Sequence, residues 1–302
     1  MTQRPILVTG AQGQVGFELQ RALALLGPVL ALDRQACDLS DPAALKGLVI
    51  GHRPWAVVNA AAYTAVDKAE TETARAEIIN AVAPGALGEA AAAIDALVVH
   101  YSTDYVFDGV SGQPYRESDA PNPLNVYGRT KLMGERALAA ANARHLIFRT
   151  SWVFGAHGDN FIKTMLRLAA EWTTLKVVSD QFGAPTPAAL IADVTAQILG
   201  QYLRGRKETF PYGLYHLTAA GATSWRHYAA HVIDAAHAAG RPLRLTSDGL
   251  VPVPTVDYPL PARRPASSRL DCARLETTFG LCLPPWENGV DHVLAQLLAQ
   301  SQ

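Results

Sequence analysis

Little in this chain marks it for a charged surface. Of 302 residues only 18% are charged, and 26 basic side chains stand against 27 acidic ones for a net charge of −1. A protein that tracks nucleic acid or lies on an anionic membrane needs a basic footprint, and none stands out, so the expected partners are small molecules. Cysteine is as sparse: Cys37, Cys272 and Cys282 are too few and too scattered for a disulfide framework or a zinc cluster, which fits a reducing cytoplasm. Long apolar runs are missing as well. The most apolar later region, Ala81 to Val99, is broken by Pro84, Glu89 and Asp95 and reads as a helix followed by a strand, not as a membrane span. The amino terminus, Met1 to Pro5, leads straight into an apolar strand without the h-region and cleavage site of a signal peptide, so export is not expected. No internal repeat or low-complexity tract is evident.

What the chain does have is apolar residues, 49% of the total, ample for one large α/β unit or a large domain carrying a smaller one. Pro5 to Thr9 is a short β-rich run. Gly10-Ala11-Gln12-Gly13-Gln14-Val15-Gly16 follows at once, before Leu19, Ala22, Leu23 and Leu26 recur at helical spacing. Strand, glycine turn and helix in that order let a backbone approach a pyrophosphate, whose charge then sits against unpaired amides at the positive helix end. Val29 to Leu32 reads as the second strand and ends in Asp33, where an acid can accept hydrogen bonds from an adenosine ribose and favour NADH. Arg34 follows directly and can pair with a 2′-phosphate, so NADPH stays open.

Asp38 to Pro42 predicts a helix start, with Ser40 or Asp41 as N-cap and Pro42 in the first turn; in this fold Asp38 and Leu39 could also lie near the adenine. Trp55 to Val58 is a third strand, and the small residues Ala60, Ala61 and Ala62, with Tyr63 and Thr64, follow at its carboxyl end, where open parallel sheets place ligands. From Ala65 to Ala93 the chain is mostly helix-forming with a break near Pro84 and Gly85. Leu97 to Tyr101 is the next strand and leads into Ser102, Thr103 and Asp104; the hydroxyls of Ser102 and Thr103 can meet a substrate carbonyl or cap a turn. A Gly-, Pro- and Ser-rich loop from Gly109 to Asn125 precedes a helix from Val126 to about Ala141 and a strand from His145 to Arg149. This alternation implies a doubly wound parallel sheet of the Rossmann type.

Tyr127 and Lys131 open the helix after that loop. Four residues apart on one helix face, a phenol and an ammonium stand about one turn apart, close enough for the cation to favour phenolate. Taken alone, Tyr-x3-Lys also describes a tyrosine packed on a helix with a solvated lysine.

Three separated motifs agree: Gly10-x2-Gly13-x2-Gly16, the hydroxyls of Ser102 and Thr103, and Tyr127-x3-Lys131. With the blocks from Thr64 to Glu70, His100 to Phe107, Pro123 to Lys131, Arg149 to Val153 and Asp180 to Thr186, the chain resembles the extended short-chain dehydrogenase/reductase superfamily, and within it the reductases of dTDP-linked 4-keto sugars. The resemblance implies an NADPH- or NADH-dependent reduction of a nucleotide-sugar substrate. It puts Thr103 at the C4 carbonyl, Tyr127 as the proton donor to its oxygen, and Lys131 at the nicotinamide ribose, lowering the tyrosine pKa. It puts Gln14, Val15, Asp33, Asp38, Leu39, Ala62, Tyr63, Thr64 and Tyr101 at the cofactor, and Asp104 and Trp152 at the sugar nucleotide. Some members bridge two subunits through Mg2+. The matching acids are Glu18 and Glu287, but Ala189 stands at the third position, and losing a carboxylate weakens a hard-cation site. A monomer or a homodimer is compatible with this. The same fold and residues also serve nucleotide-sugar epimerases and dehydratases, and some relatives are non-catalytic NADP-binding regulatory subunits.

Past the fifth strand the spacing predicts a helix from Asn160 to Trp172, a strand at Leu175 to Val178, a helix entered through Thr186 and Pro187, a strand at Gly213 to Leu217, a helix from Ser224 to near Gly240, and an irregular proline-rich stretch from Pro252 to Pro265. Arg263, Arg264 and Arg269 could meet a diphosphate, or be solvated. His227 and His231 lack a further ligand and do not suggest a metal site. Residues 1–150 are expected to be mainly dinucleotide-binding, and residues 151–302 to form mainly a smaller, interleaved α/β substrate domain.

Overall fold

A computed structural model of the protein describes residues 4–299, so the leader reading at Met1 to Gln3 falls outside the described residues. The first half alternates β1 (Ile6–Thr9), α1 (Gln14–Leu23), β2 (Val29–Leu32), α2 (Pro42–His52), β3 (Ala56–Asn59), α3 (Val66–Ala69), α4 (Thr73–Glu77), α5 (Ala83–Ala93), β4 (Leu97–Thr103), α6 (Val126–Ala141) and β5 (His145–Thr150). The second half adds β6 (Val153–Phe154), α7 (Phe161–Glu171), β7 (Leu175–Val178), β8 (Phe182–Gly183), β9 (Thr186–Pro187), α8 (Ala188–Arg204), β10 (Gly213–His216), β11 (Thr223–Ser224), α9 (Trp225–Ala238), β12 (Leu250–Val253), α10 (Ala273–Phe279) and α11 (Trp286–Ala299).

Six strands form one sheet in the order β10-β5-β4-β3-β1-β2, parallel at every pairing. This is the doubly wound sheet that the alternation predicts. The inner strands β1, β3 and β4 are buried on both faces, which is why their opening residues, Ile6 to Val8, Ala56 to Val58 and Leu97 to Val99, read as apolar runs and not as alternating ones. Alternate residues serve opposite faces: Ile6, Val8, Val58 and Val99 pack with α1 and α8, whereas Leu7, Val57 and Val98 pack with α2 and α5. Burying a side chain such as Leu19 or Leu87 contributes roughly 1.5–3 kcal/mol each. Winding reverses between β1 and β3, and a crevice opens at their carboxyl ends.

Beyond Thr150 a second core gathers Phe154, Ile162, Met165, Tyr228, Val232 and Trp286 from β6, α7, α9 and α11. Yet α8 packs on α1, and β10 pairs with β5, so the later chain returns to the first sheet. Among the described residues, no helix is long and apolar enough to cross a membrane.

Three local expectations change. The break between Ala65 and Ala93 falls at Glu70 to Glu72; from Thr73 the helix runs on through a wider π-turn over Ile78–Val82 into α5, and that widening just ahead of Pro84 accommodates a residue without an N–H. Thr186 caps no helix: its hydroxyl donates to the Ala184 carbonyl while β9 pairs with β6, and α8 starts only at Ala188. Leu250–Val253, partly inside the stretch expected to be irregular, pairs with β7; Pro252 is tolerated because this ribbon has only two strands, both of them edges.

Candidate active site

The turn from β1 into α1 is built for close approach. Gly10 has φ +70°, and a Cβ there would lie 2.8 Å from the Ala61 nitrogen. A Cβ on Gly16 would fall 2.0 Å from the Gly10 carbonyl oxygen, so the third glycine lets the helix sit against its own turn. Gly13 is the N-cap of α1 without a side-chain cap bond, and no acid lies in the first turn. The leading amides are thus left to an anion.

A cleft of about 820 Å³ runs along the carboxyl edge of the sheet. Its wall brings together Gly10, Gly13, Gln14 and Val15 from the turn, Arg34, Asp38 and Leu39 after β2, and Ala60, Ala62, Tyr63 and Thr64 after β3. Tyr101, Thr103 and Asp104 at the end of β4, Tyr127 and Lys131 on α6, and Trp152 after β5 complete it. Asp33 and Gly16 are not in that wall. The Asp33 carboxylate accepts the Gln12 amide at 3.0 Å and the backbone N–H groups of Gln35 and Ala36 at 3.0 Å each, which turns it into a turn cap.

Three buried polar atoms of the wall, Ser102 Oγ, Asp104 Oδ2 and Thr150 Oγ1, have no hydrogen-bond partner within the protein. Buried polar groups are normally paired, so these suit a polar ligand, as the open helix end suits a pyrophosphate. On both counts the residues present fit a dinucleotide lying next to a sugar.

Asn125 starts α6: its side-chain oxygen accepts from Gly128 N at 2.8 Å, and its amide donates to the Arg263 carbonyl at 2.8 Å. Glu70 accepts from Val126 N at 2.7 Å. A Cβ on Gly128 would lie 2.1 Å from the Tyr105 carbonyl oxygen, so glycine after Tyr127 lets α6 press against the end of β4. The Tyr105 ring meets Tyr127 edge-on with centroids 6.0 Å apart.

One electrostatic expectation is corrected. Burial is the largest influence on Tyr127 and pushes its phenol up to about 12, against the smaller pull of the Thr103 hydroxyl toward phenolate. Lys131 has its own partners: its side-chain nitrogen is 2.5 Å from the Tyr101 carbonyl oxygen and 3.3 Å from His100 Nε2, and burial draws it down to about 8. At neutral pH the phenol therefore keeps its proton. Thr103 donates to Asp104 Oδ1 at 2.9 Å, and burial raises the Asp104 carboxyl to about 7.

Trp152 holds a left-handed backbone, φ +46°, and stacks on Trp225 with centroids 3.6 Å apart and planes 11° from parallel. A Cβ on Gly183 would intrude to 2.5 Å from the Trp152 ring. Arg264 is committed elsewhere, with two contacts to Asp67 at 2.5 and 2.7 Å, and Arg269 bonds to the Gly112 carbonyl; neither reaches the cleft wall. Glu18 pairs with Arg21, which also reaches Asp193 on α8. Glu287 lies on the first turn of α11. Among the described residues no group of three or more His, Cys, Asp and Glu side chains could hold a metal ion.

Sequence reasoning missed Asn80 and Arg75. Asn80, in the π-turn, accepts from Tyr63 N at 2.8 Å and donates to the Tyr63 carbonyl at 3.1 Å, fixing that stretch of wall. Arg75 lines the cleft and stands 6.0 Å from the Tyr63 ring centroid. No spacing pattern singles out either residue.

Comparison with known proteins agrees with this geometry. The family model described as RmlD substrate binding domain matches residues 3–299. A dTDP-4-dehydrorhamnose reductase of Burkholderia thailandensis is 49% identical over 98% of this chain and 99% of its own. One from Escherichia coli K12 is 51% identical over 97% of each chain. The crystal structure of a dTDP-4-dehydrorhamnose reductase from Bacillus anthracis in complex with NADP superposes with a TM-score of 0.87 at 31% identity, covering 98% of this chain and 100% of that one.

Proposed function

The chain belongs to the RmlD family of dTDP-4-dehydrorhamnose reductases, and from that membership and the cleft we infer that it reduces dTDP-4-dehydro-β-L-rhamnose at C4 to dTDP-β-L-rhamnose, the last step of dTDP-L-rhamnose biosynthesis. It is an NAD(P)H-dependent oxidoreductase. The observation that carries the assignment of roles is the meeting of Thr103, Tyr127 and Lys131 in the wall that also holds the glycine turn. A nicotinamide cofactor bound along that wall supplies the hydride. The protein's own groups do the rest. Gly10, Gly13, Gln14 and Val15 would receive the pyrophosphate, and Asp38, Leu39, Ala60, Ala62, Tyr63, Thr64 and Tyr101 would shape the remainder of the cofactor groove.

Tyr127, kept protonated by burial, is the acid: it delivers the phenolic proton to the C4 oxygen as negative charge develops there. Thr103 orients that oxygen beside it. Lys131, anchored on the Tyr101 carbonyl, would meet the nicotinamide ribose, and Asp104 and Trp152 would border the sugar. The engagement of Asp33 with Gln12, together with Arg34 in the wall, supports a preference for NADPH. Residues 1–150 are read as mainly cofactor-binding and the later chain as mainly substrate-binding, on the strength of the two separate cores. The sparse cysteines support a cytoplasmic protein.

The test is spectrophotometric. Purified protein given dTDP-4-dehydrorhamnose and NADPH should consume one cofactor per sugar and yield dTDP-rhamnose. Turnover of the sugar nucleotide without net loss of nicotinamide absorbance would instead identify an epimerase or dehydratase that recycles its cofactor.

A further inference from the structure

Behind the cleft wall runs a line of buried polar side chains that the reaction as described leaves unused. Thr9, Asn59, His100 and Lys131, on β1, β3, β4 and α6, are each no more than 2% exposed. Strand register creates the line: Thr9 lies opposite Asn59, and Asn59 opposite His100. Thr9 Oγ1 is 2.6 Å from Asn59 Oδ1, Asn59 Nδ2 is 3.0 Å from His100 Nδ1, and His100 Nε2 is 3.3 Å from Lys131 Nζ.

Donors and acceptors in such a line must alternate. The first separation is that of an O–H···O bond, so Thr9 gives its proton to the Asn59 carbonyl and the Asn59 amide faces His100 Nδ1. A neutral imidazole that accepts at Nδ1 carries its hydrogen on Nε2. Burial, and next the nearby lysine, keep His100 neutral by holding it well below its ordinary range. Its Nε2–H is thereby aimed at Lys131, which can accept only as an uncharged amine. A protonated lysine has three donors and no lone pair, so it requires the other tautomer, and that tautomer requires the Asn59 amide to turn over.

We propose that His100 is a positioning residue that couples the charge on Lys131 to the direction of the Thr9–Asn59–His100 line, so that Lys131 gains or loses its proton together with a tautomer change in the ring. The importance of this for turnover rests on Lys131 belonging to the active site, while the coupling itself belongs to the free protein. Lys131, at about 8, populates both states near neutrality. The charged groups around the pair are few: Glu135 one turn along α6 favours the ammonium and is held by Arg149 on β5, while the Tyr101 phenol of β4 bonds to Thr195 on α8.

In protein carrying 15N-histidine, the His100 signal being the one lost in His100→Phe, the wild-type ring should bear its hydrogen on Nε2 above the Lys131 midpoint and on Nδ1 below it. The same tautomer on both sides of that midpoint overturns the coupling. In protein carrying 13C-lysine, Asn59→Asp offers acceptors to both neighbours, fixes the hydrogen on Nδ1, and should raise the Lys131 midpoint by about one pH unit. Most of that rise should vanish in the Asn59→Asp, His100→Phe double variant. A rise that survives in full without the ring belongs to the added charge acting through space and removes the role assigned to His100. These readings need no substrate: a protein that shows the switch but reduces no dTDP sugar upholds the coupling and overturns the functional reading alone.

Discussion

The Arg149 guanidinium closes on the Glu135 carboxylate at two points, Nε to Oε1 at 2.9 Å and Nη2 to Oε2 at 2.7 Å, with both side chains almost wholly buried. The pair ties β5 to α6 one turn beyond Lys131. Glu135→Ala leaves a buried guanidinium without its counter-charge, and breaking such a pair costs about 3–5 kcal/mol. Urea unfolding of the variant should show that loss. An unchanged midpoint would mean that the pair contributes nothing to holding the helix.

Tyr127→Phe removes the phenol proposed above as the proton donor while keeping the ring that meets Tyr105 edge-on. Turnover should fall by about 10²–10⁴-fold, the usual worth of a positioned acid, with NADPH affinity nearly unchanged. Steady-state kinetics and cofactor titration separate the two effects, and wild-type turnover in this variant would end the assignment of Tyr127.

Asp104 gives a pH signature. Burial raises its carboxyl from an ordinary 3.8 to about 7, so between those values the folded protein holds a proton that the unfolded chain releases. Its contribution is fully present below pH 3.8 and is lost as pH rises through about 7, a difference on the order of 4 kcal/mol. Asp104→Asn keeps the polar shape without the ionisation. It should unfold less readily than wild type near pH 7 and lose that advantage near pH 4 in thermal melts across this range.

Gly183→Ala drives a methyl group into the Trp152 ring and forces the stacked pair with Trp225 to shift. If Trp152 borders the sugar as proposed, the KM for the sugar nucleotide should rise roughly tenfold or more while the KM for NADPH holds, because displacing a positioned group at the substrate is costly. An unchanged KM for the sugar nucleotide would mean that the stacked pair does not border the substrate.

Arg34→Ala tests the cofactor preference. Losing one charge-assisted contact to a 2′-phosphate should weaken NADPH roughly tenfold and leave NADH untouched. If the two cofactors weaken alike, Arg34 does not read the phosphate.

Much of this architecture was legible beforehand because its signals are local. The Gly10 turn followed β1 directly, Asp41 and Pro42 announced α2, and the helix from Val126 to Ala141 matched its spacing to the residue. Most of the residues expected at the site meet in one cleft because parallel strands deliver their carboxyl ends, and α6 its first turns, to one edge; Gly16 and Asp33 do not line it. What spacing could not show was where a flexible side chain goes once it is buried. Lys131 stands on the same helix as Tyr127, yet its nitrogen is directed to the Tyr101 carbonyl, a partner 30 positions away in the chain. Asp33 is likewise diverted by Gln12 across the glycine turn. Pro84 looked like a break but was absorbed by a π-turn whose Asn80 braces Tyr63, a tertiary arrangement with no periodic trace.

The return of α8 and β10 to the first sheet bears on how such a protein can change over generations. The two halves are laced, not strung like beads: a cut after Thr150 strips β5 of its outer neighbour and bares the face of α1 that α8 covers. Neither half is a cassette that recombination could hand intact to another chain. If Trp152 borders the sugar as proposed, substitutions around Trp152 and Gly183 can alter sugar preference while the lacing beneath them stays whole.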